Sequence, residues 1–197
     1  MIGVVDIVSK NLIVIAQPYY TLGISIAARE GHADVFKFLL SVAPKHILNI
    51  DTISLLYTAI RQNYIKIVEI LLKLTPNVNL DQVFSYAASY GQIPTLELIL
   101  KTNPKFNISS SQERAFRFSV ISNQYQTVSF LFKINPNINI LVQNGEIFNH
   151  DLRGKTFSVI LRHTKDKCLL LQFLIKKNEM KKVKKIINSH RYLLYCI

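Results

Sequence analysis

Acidic residues and cysteine are both scarce in this sequence: 197 residues hold 12 Asp+Glu against 24 Lys+Arg, and the only cysteines are Cys168 and Cys196. These two form no close pair and no cluster with histidine at zinc-ligand spacing, which argues against a disulfide framework or a structural metal and for a reducing compartment. Long apolar runs are missing as well. Asp6 and Lys10 interrupt the apolar N-terminus, the stretch Leu12 to Ala16 is too short for the core of a signal peptide, and nothing approaches a membrane span. Hydrophobic residues, by contrast, are plentiful: 49% against 18% charged, a balance that specifies a folded core rather than a disordered chain. The formal charge of +12 permits binding to acidic proteins, nucleic acid or anionic membrane surfaces and selects none of them.

The apolar residues are periodic on two scales. Pro44, Pro76, Pro104 and Pro136 each follow an apolar stretch, at separations of 32, 28 and 32 residues. Aligned on these prolines, Gly31, Asn63, Gly91 and Asn123 fall in one column, and a weaker fifth copy places Asn178 there. Gly and Asn enter the left-handed backbone region at least cost, as a tight turn between two helices requires. After this column the apolar positions recur at helical spacing, as in Val35, Phe36, Phe38, Leu39 and Leu40, or Ile67, Val68, Ile70, Leu71 and Leu72. Before it stand small or apolar pairs, Ala27-Ala28, Ala59-Ile60, Ala87-Ala88 and Ser119-Val120, which let a first helix approach its neighbour closely. Each unit therefore reads as helix, turn, helix. One such pair cannot bury its apolar face alone, so an all-α stack with a continuous core is expected.

The string AAREGHADVFKFLL at residues 27–40 resembles the second half of an ankyrin repeat, and TAIRQNYIKIVEILL, YAASYGQIPTLELIL and FSVISNQYQTVSFLF are similar to it more loosely. The resemblance covers about residues 21–139 and implies an ankyrin-like solenoid that recognises protein and has no chemistry of its own. His32 stands where the family has its turn histidine, implying a structural hydrogen-bonding role. The family's Thr-Pro-Leu-His opening is replaced in every copy, for example by Leu22-Gly23-Ile24-Ser25, and its closing Gly-Ala by Ala43-Pro44, Thr75-Pro76, Asn103-Pro104 and Asn135-Pro136. The projecting hairpins between repeats are accordingly not expected.

The expected organisation is a single domain: an N-terminal capping helix in residues 1–20, with Val4 to Ala16 helical; four repeats in 21–139; a non-repeat insert or diverged unit in 140–167; and a basic capping helix pair in 168–197. Lys182 and Lys185 occupy columns held earlier by Val35 and Phe38, which reads as the polar outer face that a terminal repeat needs. Together with Lys176, Lys177, Lys181 and Lys184 they form a basic patch, read first as a solvated cap and second as a surface for an acidic partner.

Candidate chemistry is thin. Gly154-Lys155-Thr156 resembles the end of a P-loop, but its upstream glycine falls at Asn149 and no strand pattern precedes it. His150, Asp151, His163 and Cys168 lack the local signature of a nucleophile with its base, and Cys168 reads as a small buried residue of an apolar helix. No catalytic residue, cofactor or metal is expected. The expected function is protein binding through a concave face carrying Arg29, Glu30, Arg61, Gln62, Tyr64, Tyr86, Tyr90, Gln92, Phe118 and Ser122, with His32 and Gln124 in the same columns. Tyr86 and Phe118 read equally well as packing between neighbouring first helices. A monomer in the cytoplasm is expected, with no nucleic-acid module. The Ile, Asn and Lys content suits an AT-rich genome and hence an effector of an intracellular microbe or virus acting in a host cytosol. The competing expectation is an enzyme, or a binder of nucleic acid or acidic surfaces, acting through 140–167 and the basic cap.

Overall fold

The computed structural model describes residues 19–43, 50–152 and 154–196, and among them every regular element is a helix. The expected capping helix Val4 to Ala16 lies outside the described residues. A helix at 19–29 (α1) is followed by α2 (Ala33–Val42), α3 (Thr52–Arg61), α4 (Ile65–Leu74), α5 (Leu80–Ser89), α6 (Ile93–Thr102), α7 (Ser110–Ile121) and α8 (Tyr125–Ile134). Then come a short α9 (Val142–Gly145) running into a 3-10 helix (Glu146–Asn149), α10 (Gly154–His163), α11 (Lys167–Lys176), α12 (Met180–Ser189) and a terminal 3-10 helix (Arg191–Cys196).

The turn column behaves as its residue types dictate. Gly31, Asn63, Gly91, Asn123 and Asn178 all have positive φ, between 55° and 83°, and each stands two places before a second helix. The left-handed residue turns the chain so that the last carbonyls of the first helix find donors. In the second copy Asn63 N–H donates to Ile60 O and Tyr64 N–H to Ala59 O. The same two bonds recur from Asn123 and Gln124 to Val120 and Ser119, and from Asn178 and Glu179 to Ile175 and Leu174. The acceptors are the small or apolar residues before the turn, so burial and capping fall on the same positions.

The other ends are set by proline and asparagine. Thr75, Asn103 and Asn135 close their helices by donating a backbone N–H to Leu71, Ile99 and Leu131, and the following prolines prevent another turn. First helices then start on side-chain caps: Asp51 accepts from Ser54 N–H at 2.9 Å, Asn79 from Gln82 N–H at 3.1 Å, and Asp166 from Leu169 N–H at 2.8 Å. No strand forms among the described residues, in line with the lost hairpin signals.

The chain divides into two compact units, residues 1–87 with 94–104, and residues 88–93 with 105–197. In unit 1, α3 packs on α4 and α2 on α4, burying Phe36, Leu56, Ile60, Ile67 and Leu71 completely. Each such side chain contributes roughly 1.5–3 kcal/mol. Val35 and Phe38 lie in the apolar stripe read from the sequence but are 50% and 63% exposed, because among the described residues no earlier second helix lies against α2. In unit 2, α7 packs on α8, α8 on α10, and α11 on α12. In residues 140–167 the short α9 and its 3-10 extension both lie against α7, and α10 lies beside α8, the placement that a shortened first helix and its second helix would have. Leu152, in the turn column of this unit, is not left-handed, as a branched apolar residue dictates.

Three threonines occupy one column of successive second helices. Thr95, Thr127 and Thr156 are fully buried and their hydroxyls have no hydrogen-bond partner, whereas the second copy holds Ile67 there. Replacing Thr127 by the isosteric Val is expected to raise stability by about 1 kcal/mol in urea unfolding, since it removes an unpaired buried hydroxyl. A loss of stability would show that the hydroxyl is paired. At the turn, Asn63→Gly is expected to change stability by less than about 0.5 kcal/mol and Asn63→Val to cost about 1–3 kcal/mol. Equal tolerance of the two would contradict the left-handed constraint.

Candidate functional site

In four copies a buried pair stands three and four places before the turn residue, and in all five the residue immediately before the turn is exposed. Ala27-Ala28, Ala59-Ile60, Ala87-Ala88 and Ser119-Val120 are buried, and the residue just before each turn, Glu30, Gln62, Tyr90, Ser122 and in the fifth copy Lys177, is exposed in all five. Arg29, Arg61 and Lys176, one position earlier, are exposed too. One backbone arrangement therefore displays an acid, an amide, a phenol, a hydroxyl and an ammonium at the same place.

The remaining candidate residues are engaged by the fold. The Tyr64 ring is half-buried against Gly31, where an added Cβ would come within 2.8 Å of it. Gln124 repeats the contact in unit 2, where a Cβ on Gly91 would come within 2.7 Å of its amide. Glycine at these two turns is required both by φ and by the side chain that crosses it. Tyr86 stacks edge-on against Tyr57 with centroids 4.7 Å apart, so it packs between first helices. Phe118 is half-buried beneath the Arg114 and Arg117 guanidinium groups, 5.3 and 6.0 Å from its centroid. Gln92 is half-buried. His32 takes the N-cap position of α2, where it is exposed and makes no side-chain cap bond.

The six lysines of the basic patch divide into two kinds. Lys176, Lys177, Lys181 and Lys184 are exposed, with the Lys177 ammonium 5.9 Å from the Phe173 ring. Lys182 and Lys185 do not form the polar outer face expected of them. The Lys182 side chain is only 17% exposed and donates to Phe148 O and Glu179, both at 2.8 Å. Lys185 donates to Gly154 O at 3.1 Å and lies over the Phe157 ring. Lys182 thereby satisfies a carbonyl of the 3-10 helix, Lys185 adds a bond to Gly154 O at the start of α10, which also accepts from Ser158 Oγ at 2.6 Å, and both stems pack along apolar surface.

The catalytic decoys separate. Thr156 of the P-loop-like string points into the core and Lys155 lies 5.2 Å from the Tyr125 ring, so neither frames a phosphate cradle. His163 stacks on Phe132, with centroids 4.9 Å apart and planes 12° from parallel. Cys168 is half-buried and disulfide-bonded, which corrects the expectation of a buried thiol and an unbridged chain. A reducing compartment does not favour such a bond.

One feature of unit 2 escaped the sequence reading. Ser111, Gln112 and Glu113 form a left-handed turn at φ 50° to 58°, and Gln143, Asn144 and Gly145 form another at 51° to 63°. Such turns cost about 1–2 kcal/mol per non-glycine residue. They are joined by a Gln143–Gln112 side-chain bond of 2.5 Å, by Asn139 N–H donating to Glu113, and by buried Arg117, which donates to Gln112 O and pairs with Glu146. A signal was present: Asn107-Ile108 to Phe116 and Asn139-Ile140 to Phe148 align at the same 32-residue spacing as the prolines.

No family model matches this chain, and no curated protein or solved structure is significantly similar to it. Among the described residues no His, Cys, Asp and Glu cluster could hold a metal ion, and no helix is long and apolar enough to cross a membrane.

Lys182→Met is expected to cost about 1–3 kcal/mol by leaving Phe148 O unsatisfied, and Lys184→Met less than about 0.5 kcal/mol. Thermal unfolding of both variants checks this, and equal effects would return Lys182 to the solvated cap.

Proposed function

We propose that this chain is a protein-binding module of ankyrin-type helical repeats that engages its partner through the residues preceding each turn. The observation that carries this reading is the contrast within each first helix. Ala27, Ala59, Ala87 and Ser119 are uniformly buried, while the exposed column Glu30, Gln62, Tyr90, Ser122 and Lys177 repeats no residue type. A frame held constant by packing and capping, with a surface free to vary, is what a recognition scaffold requires and what folding alone does not. The exposed set supplies Arg29, Arg61 and Tyr90, residue types that bring large contact area and directional polar groups to interfaces. Tyr64 and Tyr86 are engaged in packing within unit 1, and Phe118 within unit 2.

The test is affinity capture on the intact chain and on an Arg29→Ala, Arg61→Ala, Tyr90→Ala variant, followed by binding of the captured protein in purified form. The variant is expected to lose about tenfold or more in affinity, a change of about 1.4 kcal/mol, while its unfolding temperature stays that of the parent. Unchanged capture by a folded variant would remove the turn column as the binding surface.

A further inference from the structure

Nearly all of the excess charge lies in unit 2. Residues 105–197 hold 16 Lys+Arg against five Asp+Glu, and residues 88–93 hold no charged residue. The few acids are largely used internally: Glu113 is buried and accepts from Asn139 N–H, Glu146 pairs with Arg117, Glu179 with Lys182, and Asp166 caps α11. Arg117 and Lys182 pair with Glu146 and Glu179, and the remaining Lys and Arg residues of this unit far outnumber its remaining acids.

At the C-terminal ends of α8 and α10 the chain leaves an apolar groove of about 260 Å³. Phe132, Ile138, Ile140 and Leu170 line it, and Leu169, 52% exposed, forms one edge. Two ammonium groups are seated on its lining residues: Lys165 donates to Asn137 Oδ1 at 2.5 Å and Lys167 to Thr164 O at 3.0 Å. The one lining carboxylate, Asp166, accepts from the Leu169 N–H and keeps its charge, so the ammonium groups of Lys165 and Lys167 outnumber it at this border.

Unit 1 contains the same groove with different electrostatics. Leu72, Pro76, Val78 and Leu80 stand two repeats before Phe132, Pro136, Ile138 and Ile140, and enclose about 200 Å³. Its charged residues, Glu69 and Lys73, pair at 2.8 Å and cancel. The hydrogen bond and charge of Lys73 hold the Glu69 carboxyl below its ordinary range, so that carboxyl stays ionised at neutral pH.

We propose that the unit 2 groove docks an acidic polypeptide segment, which inserts one apolar side chain among Ile138, Ile140 and Leu169 and sets carboxylates against Lys165 and Lys167. A volume of about 260 Å³ falls below the ~300–1,000 Å³ usual for small-molecule sites and suits one or two side chains. Stacking of a nucleobase needs an open aromatic face, whereas Phe132 is buried and the flank of His163 is already stacked on it. Charge complementarity selects the acidic partner. The groove is distinct from the turn column and does not depend on it.

Fluorescence anisotropy on the full chain tests this with labelled peptides of about twelve residues carrying a central Leu or Phe flanked by Glu. A companion peptide has Ser at the centre, and a single-stranded oligonucleotide and phosphatidylserine vesicles compete. The apolar-centred peptide is expected to bind about tenfold or more tightly than its Ser companion. Leu169→Gln and a Lys165→Glu, Lys167→Glu double variant should each lose about tenfold at unchanged unfolding temperature, and Lys73→Glu in the unit 1 groove nothing. Equal binding of the Ser companion, displacement by oligonucleotide or vesicle in preference to peptide, absence of binding at about millimolar peptide, or an equal loss from Lys181→Glu, Lys184→Glu would each overturn it.

Discussion

The left-handed residue two places before each second helix is the constraint on which the helix pairs depend. It reverses the chain within a few residues, satisfies the terminal carbonyls of the first helix, and aims the second helix back along the first. Because the carbonyl acceptors belong to Ala27, Ala59, Ser119 and Leu174, the residues that let first helices pack closely also close the turns. Side chains just before the turn escape both duties and are left exposed.

Where that constraint is missing, the structure compensates with polar contacts. The unit around residues 139–163 has Leu152 in the turn column and only a stub of a first helix. The Phe148 carbonyl of that stub is met by Lys182 from the following pair, and Lys185 bonds Gly154 O at the start of α10. Its entry is a left-handed turn bonded through Gln143 to the left-handed turn at Gln112, with buried Arg117 and Glu146 spanning the pair. The cost of burying the Arg117 guanidinium is offset only when its donors are satisfied, and its bonds to half-buried Glu146 and to Gln112 O supply this.

Charge follows the same division of labour. Unit 2 holds many more Lys and Arg residues than acids, whereas unit 1 is close to neutral. Two grooves of one design thereby differ in electrostatic character: one is cancelled by Glu69 and Lys73, the other bordered by Lys165 and Lys167.

The sequence by itself determined the all-helical class, the helix–turn–helix unit and the five turn residues, because proline, glycine and asparagine act through local backbone sterics that need no neighbours. It also marked Arg29, Arg61, Tyr90 and the exposed lysines as surface, since helical periodicity assigns faces. What only the tertiary structure decided was set by neighbours distant in the chain. Tyr64 lies against Gly31, Lys182 serves the carbonyl of Phe148 rather than solvent, and among the described residues nothing covers Val35 and Phe38. A stripe or a charge has the same period whether or not something packs on it, so burial and pairing are properties of the assembled pairs.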